Sequence, residues 1–173
     1  MGHGAPLPHP RGGLRAGLAA YAYDGDPPDR VLAHLSVRAP ALLDLPMATV
    51  LAADYDPESR RLTFSLAGHL PPLIVARDGE PRFADARPGP PLGAEVGDYT
   101  RHMTMLPPDA TLVLYTDGLI EERELAIDVG MERLRRALDG VDLEPDAVAD
   151  HVLNALDRER GGEDDIALLV MRA

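Results

Sequence analysis

The sequence contains no cysteine, which excludes disulfides and thiolate metal sites. It also contains no tryptophan, and only 4% of its residues are aromatic, so the core must be built from Leu, Val, Ala and Met. No apolar run approaches the ~20 residues that span a bilayer. The N-terminus lacks the charged-then-apolar pattern of a signal peptide. These absences predict a soluble, cytoplasmic protein.

Lysine is absent as well, so all 17 basic residues are arginine, and the formal net charge is -12. Phosphate contacts dominate the affinity of proteins for nucleic acids, and an acidic chain without a basic block lacks the groups that make them. The same charge disfavours an anionic membrane surface. The sequence therefore predicts a protein that binds neither nucleic acid nor membrane.

At 173 residues, with 45% hydrophobic residues, the chain is long enough for one domain with its own core, and we expect a single domain over 1–173. Residues 1–13 are rich in proline and glycine and are predicted to be a loop or disordered. Helical spacing of apolar residues predicts helices over 14–23, 28–38, 131–138 and 145–160. Extended patterns predict strands over 48–55, 61–67, 73–76, 82–84, 99–106, 112–115 and 166–171.

The strands cluster together, and Asp78-Gly79 is a strong hairpin signal between two of them. Clustered, hairpin-linked strands with separate helices indicate an α+β fold built on antiparallel sheet.

Acidic residues stand at the ends of two predicted strands. Thr116-Asp117-Gly118 follows one strand, and Glu163-Asp164-Asp165 precedes the last strand. If these strands are antiparallel neighbours, Asp117 and Asp164 meet at the same edge of a sheet. A charge at the rim of an apolar layer is costly unless it is paired, and a metal ion is one such partner. Carboxylates favour Mg²⁺ or Mn²⁺, and a cation held there can activate water for phosphoryl displacement.

Spacing alone leaves plainer interpretations open. Asp117-Gly118 is also typical of a turn, and residues 163–165 are also typical of a solvated helix-strand junction. His69, in Gly68-His69-Leu70, is either a hydrogen-bond donor or proton carrier near the site, or a loop histidine held by the fold.

Five motifs in order resemble the SpoIIE-like (RsbU-type) branch of the PPM metal-dependent Ser/Thr protein phosphatases. They are Gly-His-Gly at 2–4, Ala-Gly-His-Leu-Pro-Pro at 67–72, Gly-Pro-Pro-Leu-Gly at 89–93, Thr-Asp-Gly at 116–118 and Glu-Asp-Asp at 163–165. Each motif is weak alone, and the five with compatible spacing cover nearly the whole chain.

The resemblance implies two stacked antiparallel sheets flanked by helices, an α-β-β-α sandwich with a two-metal Mn²⁺ or Mg²⁺ site at one edge. It implies hydrolysis of phosphoserine or phosphothreonine by a metal-bound water, on a small phosphorylated anti-sigma-antagonist protein that controls an alternative sigma factor. By position, Asp117 and Asp164 match metal aspartates with catalytic roles, and Asp165 matches a neighbouring position. Gly118, His69, Gly68 and His3 fall near the implied site.

In the family, a further metal aspartate stands three residues before the first glycine of Gly-His-Gly, and this sequence starts at Met1, directly before Gly2. The resemblance therefore implies that the first strands and the first metal ligands are missing, and that activity of this chain alone is low. An alternative is a non-catalytic pseudophosphatase that binds a signalling partner. A metal-dependent phosphodiesterase is disfavoured by the lack of a basic groove. Missing strands also predict exposed sheet edges and a homodimer through them.

Overall fold

A computed structural model of the chain describes residues 10–42, 47–77, 79–121, 125–141, 144–156 and 165–173. Seven strands and five helices lie within these residues. In chain order they are α1 (Pro10–Tyr23), α2 (Pro28–Leu42), β1 (Val50–Asp56), β2 (Arg61–Ala67), β3 (Leu73–Val75), β4 (Arg82–Phe83), β5 (His102–Met105), β6 (Thr111–Tyr115), α3 (Asp117–Ile120), α4 (Ile127–Ala137), α5 (Pro145–Ala155) and β7 (Leu168–Arg172).

The strands form two sheets. One has three strands in the order β1-β2-β5, and the other has four in the order β4-β3-β6-β7. In the four-stranded sheet every neighbouring pair is antiparallel. The predicted α+β class, with two antiparallel sheets flanked by helices, is confirmed.

The chain divides into two compact units. The first unit comprises Met1–Asp54, Thr63–His69 and Arg87–His102, and the second comprises Tyr55–Leu62, Leu70–Ala86 and Met103–Ala173. Each unit has its own hydrophobic cluster. The single domain over 1–173 stays a prediction.

The core of the first unit is built on α2. Val31, Leu32 and Leu35 recur at helical spacing on its buried face, and they pack against Ala52 of β1 and Leu92. Partly buried residues of α1 complete this cluster: Leu14, Leu18 and Tyr21.

An ion pair also ties α2 to a later part of this unit. Asp29 in the first turn of α2 accepts two hydrogen bonds from Arg101, at 2.6 and 3.2 Å. Partial burial works to raise the pKa of the Asp29 carboxyl, but the hydrogen bonds from Arg101 outweigh it and hold the pKa below its ordinary value.

The core of the second unit lies between the four-stranded sheet and helices α3, α4 and α5. Alternate residues of β3 and β6 point into this cluster, which is the periodicity of a strand with one helix-covered face. The sheet contributes Leu73, Val75, Val113 and Tyr115, and the helices contribute Leu119, Ile120, Leu134, Leu138, Val148, Val152 and Leu156.

Two helices are longer than predicted. Helix α1 begins at Pro10, although residues up to 13 were predicted to be a loop, because proline is well tolerated at the first position of a helix. Helix α2 was predicted to end at Arg38, yet it continues through Pro40 to Leu42. Ala39, beside that proline, is fully buried, and its packing holds the last turn despite the missing N–H of Pro40. The remaining residues predicted as loop, 1–9, lie outside the described part.

Other boundaries shift by a few residues. Helix α4 begins at Ile127 instead of 131, and α5 ends at Ala155 instead of 160, with 157–160 outside the described residues. Strand β1 was predicted to be buried over 48–55, but it spans Val50–Asp56 and exposes Ala53 and Asp54. Strand β7 covers Leu168–Arg172 where 166–171 was predicted, whereas β2 has its predicted bounds.

Among the described residues, none of the helices combines the length and the apolar character that a membrane-spanning segment requires.

Candidate functional site

The candidate site begins where β6 ends. Thr111, Leu112 and Val113 are buried in the sheet, and the chain then emerges at the exposed Asp117, the first residue of the short helix α3. The Gly118 N–H donates to Asp117 Oδ1 at 3.0 Å, and the Glu121 N–H donates to the Asp117 carbonyl at 2.7 Å. The first bond holds one oxygen of the carboxylate and the second closes the helical turn, so Asp117 stands at the rim of a buried layer but within a helix.

Strand β7 brings Asp165, the described residue of the second acidic segment, to the same edge. It pairs antiparallel with β6, with Tyr115 opposite Leu168, so the condition that the two strands are antiparallel neighbours is met. Beyond the last pair, the Thr116 N–H donates to the Ala167 carbonyl at 3.0 Å, and the Ala167 N–H donates to Thr116 Oγ1 at 2.9 Å. The Thr116 hydroxyl donates to the Asp165 carbonyl at 3.2 Å. The chain entering β7 is therefore fastened beside Asp117.

Thr116 is the residue whose role the sequence did not reveal. It stands within the Thr-Asp-Gly motif, and the sequence analysis placed it only in the break that follows a strand. A side chain that can both donate and accept at the end of a strand is the signal that could have found it, because such a hydroxyl can continue a ladder past its last backbone pair.

Asp164 and His3 lie outside the described residues. Among the residues that the structure does describe, no group of three or more His, Asp or Glu side chains converges as a metal site would require. The exposed carboxylate of Asp117 is a hard oxygen donor, and the Asp165 carbonyl is bonded to Thr116, the residue before Asp117, so the residue types on this edge fit Mg²⁺ or Mn²⁺. Metal ligation by Asp117, Asp164 and Asp165 stays a prediction.

Gly68, in the first unit, has a structural reason to be glycine. It follows β2 with φ at +63°, and a Cβ there would lie 2.6 Å from Pro91 Cγ. The Gly68 N–H donates to the Gly89 carbonyl at 2.8 Å, and the Gly89 N–H donates to the Leu66 carbonyl at 2.9 Å. Two of the five sequence motifs are thus joined backbone to backbone. His69 is partly buried, and its predicted role as a hydrogen-bond donor or proton carrier near the site stays a prediction.

Packing of the Tyr99 ring explains why residue 89 is a glycine. A Cβ on Gly89 would lie 2.8 Å from Tyr99 Cδ1, so the ring sits directly on the glycine. The Tyr99 hydroxyl donates to the Pro90 carbonyl at 3.1 Å, and burial raises the pKa of this phenol. The first unit therefore uses the Gly-Pro-Pro-Leu-Gly motif for close packing.

Tyr115, at the end of β6, is the buried titratable group nearest to the site in sequence. It is 3% exposed, and burial strongly raises the pKa of its phenol. Its hydroxyl has no hydrogen-bond partner among the residues that the structure describes. The phenol of Tyr115 therefore stays neutral at physiological pH and adds no negative charge near the end of β6.

Comparisons with known proteins identify the family. The sequence profile of Stage II sporulation protein E (SpoIIE) matches residues 1–173. The RsbU and RsbW domains of Rv1364c from Mycobacterium tuberculosis superpose with a TM-score of 0.81 and 24% identity, covering 99% of this chain and 49% of that one.

Two further structures share the fold. For the PP2C phosphatase domain and a regulatory fragment of SpoIIE from Bacillus subtilis, the TM-score is 0.72 at 19% identity, over 92% of this chain and 49% of that one. For the SiaA PP2C domain of Pseudomonas aeruginosa, the TM-score is 0.76 at 21% identity, and the match covers 100% of this chain and 71% of that one. The chain thus spans about half the length of the first two structures. With the family profile matching its whole length, the chain belongs to the family of Stage II sporulation protein E (SpoIIE).

Proposed function

We propose that this chain hydrolyses phosphoserine or phosphothreonine on a small regulatory protein, with Mn²⁺ or Mg²⁺ held by Asp117 and Asp164 and with Asp165 beside them. Membership of the SpoIIE family supports the reaction type. A related structure, that of RsbX, is a complex with magnesium, which supports the choice of cation.

The observation that carries this proposal is the fastening of Asp165 to Thr116. It brings the entrance of β7 to the exit of β6, two segments that are distant in sequence and that both carry carboxylates. Two acids at neighbouring strand ends are held by the sheet itself, and a metal site requires rigid ligands of this kind.

Gly118 and Thr116 position the two segments of the proposed site. The Gly118 N–H holds one oxygen of Asp117, which leaves the carboxylate turned to solvent at the helix start. Thr116 holds the backbone before β7 through its bonds to Asp165 and Ala167. A divalent cation bound at this edge would supply the positive charge that stabilises the phosphoryl oxygens during displacement.

We infer that the substrate is a phosphorylated protein of the anti-sigma-factor-antagonist type, acting in the cytoplasm and controlling an alternative sigma factor. The RsbU domain of the related Mycobacterium tuberculosis protein stands in one chain with an RsbW domain, which supports a role in such partner switching.

Metal binding and turnover test the proposal together. We expect Mn²⁺ titration by calorimetry to show binding, and a phosphoserine protein to release phosphate in a Mn²⁺-dependent reaction. Asp117→Asn should abolish both, because it removes a ligand charge at the edge. Asp139→Asn, which changes an exposed acid of the same unit, should leave both unchanged.

Two outcomes would count against the proposed phosphatase function. Turnover that persists in Asp117→Asn would remove Asp117 from the site. Binding of the phosphoprotein without turnover at millimolar Mn²⁺ would favour the pseudophosphatase instead.

A further inference from the structure

A cleft lies at the other end of the four-stranded sheet from Asp117. Its volume is about 510 Å³, within the roughly 300–1,000 Å³ of small-molecule sites. Val75 of β3 pairs with Thr111 of β6, so the turn after β3 and the turn before β6 meet at this end. The two turns, both in the second unit, line the cleft with Ala76, Arg77, Gly79, Pro107, Pro108 and Asp109.

Backbone hydrogen bonds anchor the turn before β6. The Ala110 N–H donates to the Pro107 carbonyl at 3.2 Å and closes this turn. The Arg172 guanidinium of β7 donates to the Asp109 carbonyl at 3.4 Å, which ties the turn to the neighbouring strand. Asp109 precedes β6 and Asp117 follows it, so the whole strand separates this cleft from the candidate metal edge.

Among the described residues that line the cleft, two carry charge, and their signs are opposite. Arg77 Nη1 lies 3.9 Å from Asp109 Oδ2, and the two side chains are 57% and 63% exposed. An exposed ion pair stabilises a protein by only about 0–1 kcal/mol. A ligand that offers a partner to each of the two charges can therefore open this pair at little cost.

The two charges favour a ligand that is itself a zwitterion. A guanidinium binds a carboxylate through two parallel hydrogen bonds, and a carboxylate binds an ammonium group through charge-assisted ones. An α-amino acid carries both of these groups on one carbon. It has no net charge, so the -12 of the chain does not repel it, whereas a plain anion would meet Asp109 and a plain cation would meet Arg77.

We propose that this cleft binds a free α-amino acid with an apolar side chain. Its carboxylate pairs with Arg77, its ammonium group pairs with Asp109, and its side chain lies against Pro107 and Pro108. Apolar walls with a few polar groups that fix orientation are typical of small-molecule sites. The cleft is separate from Asp117, so this binding depends on neither metal nor phosphatase activity.

An NMR titration of the isotope-labelled full chain tests the proposal, with L-leucine as the probe. The amide signals of Gly79 and Asp109 should shift and saturate. Leucinamide lacks the carboxylate, and N-acetyl-leucine lacks the ammonium group. Each derivative should bind roughly tenfold more weakly than leucine, because it leaves one charge of the cleft without its partner.

Two variants assign the contacts. Arg77→Gln should bind leucine roughly tenfold more weakly and no longer prefer it to leucinamide. Asp109→Asn should likewise lose the preference for leucine over N-acetyl-leucine. Asparagine also tolerates the left-handed backbone at residue 109, where φ is +58°, so this variant should keep the fold. The matched control is Arg136→Gln, which removes a 72% exposed arginine from an ion pair on α4 and should leave the affinity unchanged.

Three results would overturn the proposal. The first is that millimolar leucine produces no saturable shift at Gly79 and Asp109. The second is that both cleft variants bind leucine and its derivatives as wild type does. The third is that acetate shifts the same signals with the same affinity as leucine, which would make the cleft a simple anion site at Arg77. Because the titration contains neither metal nor phosphoprotein, these results leave the proposed phosphatase function untouched.

Discussion

Thr116 and Asp165 are 49 residues apart in sequence, and the hydroxyl of Thr116 donates a hydrogen bond to the backbone carbonyl of Asp165 at 3.2 Å. The same hydroxyl accepts the N–H of Ala167 at 2.9 Å. One side chain thus continues the β6–β7 ladder beyond its last backbone pair, where the carboxylate-bearing residues begin. The geometry of the acidic edge depends on this threonine.

Replacing Thr116 by valine, which keeps its shape and removes its hydroxyl, should cost about 1 kcal/mol of the free energy of unfolding. The Ala167 N–H loses its acceptor, and the chain before β7 loosens, so Mn²⁺ affinity should fall as well. Urea denaturation and calorimetric titration measure the two effects. Thr116→Ser retains the hydroxyl and is the control; if it loses as much as valine, the hydrogen bonds are not the cause.

Gly68→Ala should destabilise the protein by more than Gly25→Ala. Both glycines have positive φ, at +63° and +84°, so both substitutions incur the conformational cost of about 1 kcal/mol. Only at Gly68 does a new Cβ meet another residue, Pro91, whereas nothing lies within 4 Å at Gly25. Overpacking of this kind adds about 1–3 kcal/mol. Thermal unfolding of the two variants compares them, and equal losses would show that the contact with Pro91 relaxes freely.

Glu132 makes stability depend on pH in the acid range. Hydrogen bonds from Arg135 and Arg136 lower the pKa of its carboxyl to about 2. A folded-state pKa below the unfolded value of about 4.3 means that the stabilisation is present above that value. It is lost as pH falls towards 2. Glu132→Gln should therefore be less stable than wild type at neutral pH, and the difference should vanish near pH 2, as followed by thermal melts. Glu58→Gln, at an exposed turn, is the control, and a pH-independent difference for Glu132→Gln would contradict this assignment.

Strand β7 lies at one end of the four-stranded sheet, and its Leu169 is 55% exposed. Edge strands without lysine or proline readily pair with other strands, so the homodimer through exposed sheet edges stays a prediction for this strand. Leu169→Lys should lower the apparent mass in light scattering at high concentration, because a charge on the edge opposes pairing. A wild-type protein that stays monomeric at all concentrations would refute it.

Strands with a clear period were predicted well. Leu62, Phe64 and Leu66 are each 1% exposed on β2, whose bounds match the prediction from their alternation. The antiparallel pairing of β6 and β7 was predicted as a condition of the site, and it is confirmed. The apolar alternation along β2 specifies which face is buried, so its bounds depend little on distant residues, whereas the pairing of β6 with β7 joins segments that are far apart in sequence.

Helix boundaries were predicted less well, because tertiary packing outweighs local propensity at their ends. Proline and glycine argued against helix at Gly13 and Pro40, yet both residues lie within helices. Their intrinsic cost is a few kcal/mol at most, and burial of residues such as Ala39 and Leu35 against the rest of the unit exceeds it. Burial of that kind cannot be read from a window of neighbouring residues.

The sequence by itself determined the class of fold, the absence of thiol chemistry and the acidic residue types at the ends of two strands, because these follow from composition and short-range periodicity. Only the tertiary structure decided that Thr116 fastens the entrance of β7, and that Pro91 and Tyr99 pack directly against Gly68 and Gly89. Each of these is a contact between residues that the chain separates, and such contacts exist only once backbone hydrogen bonds and packing have brought the segments together.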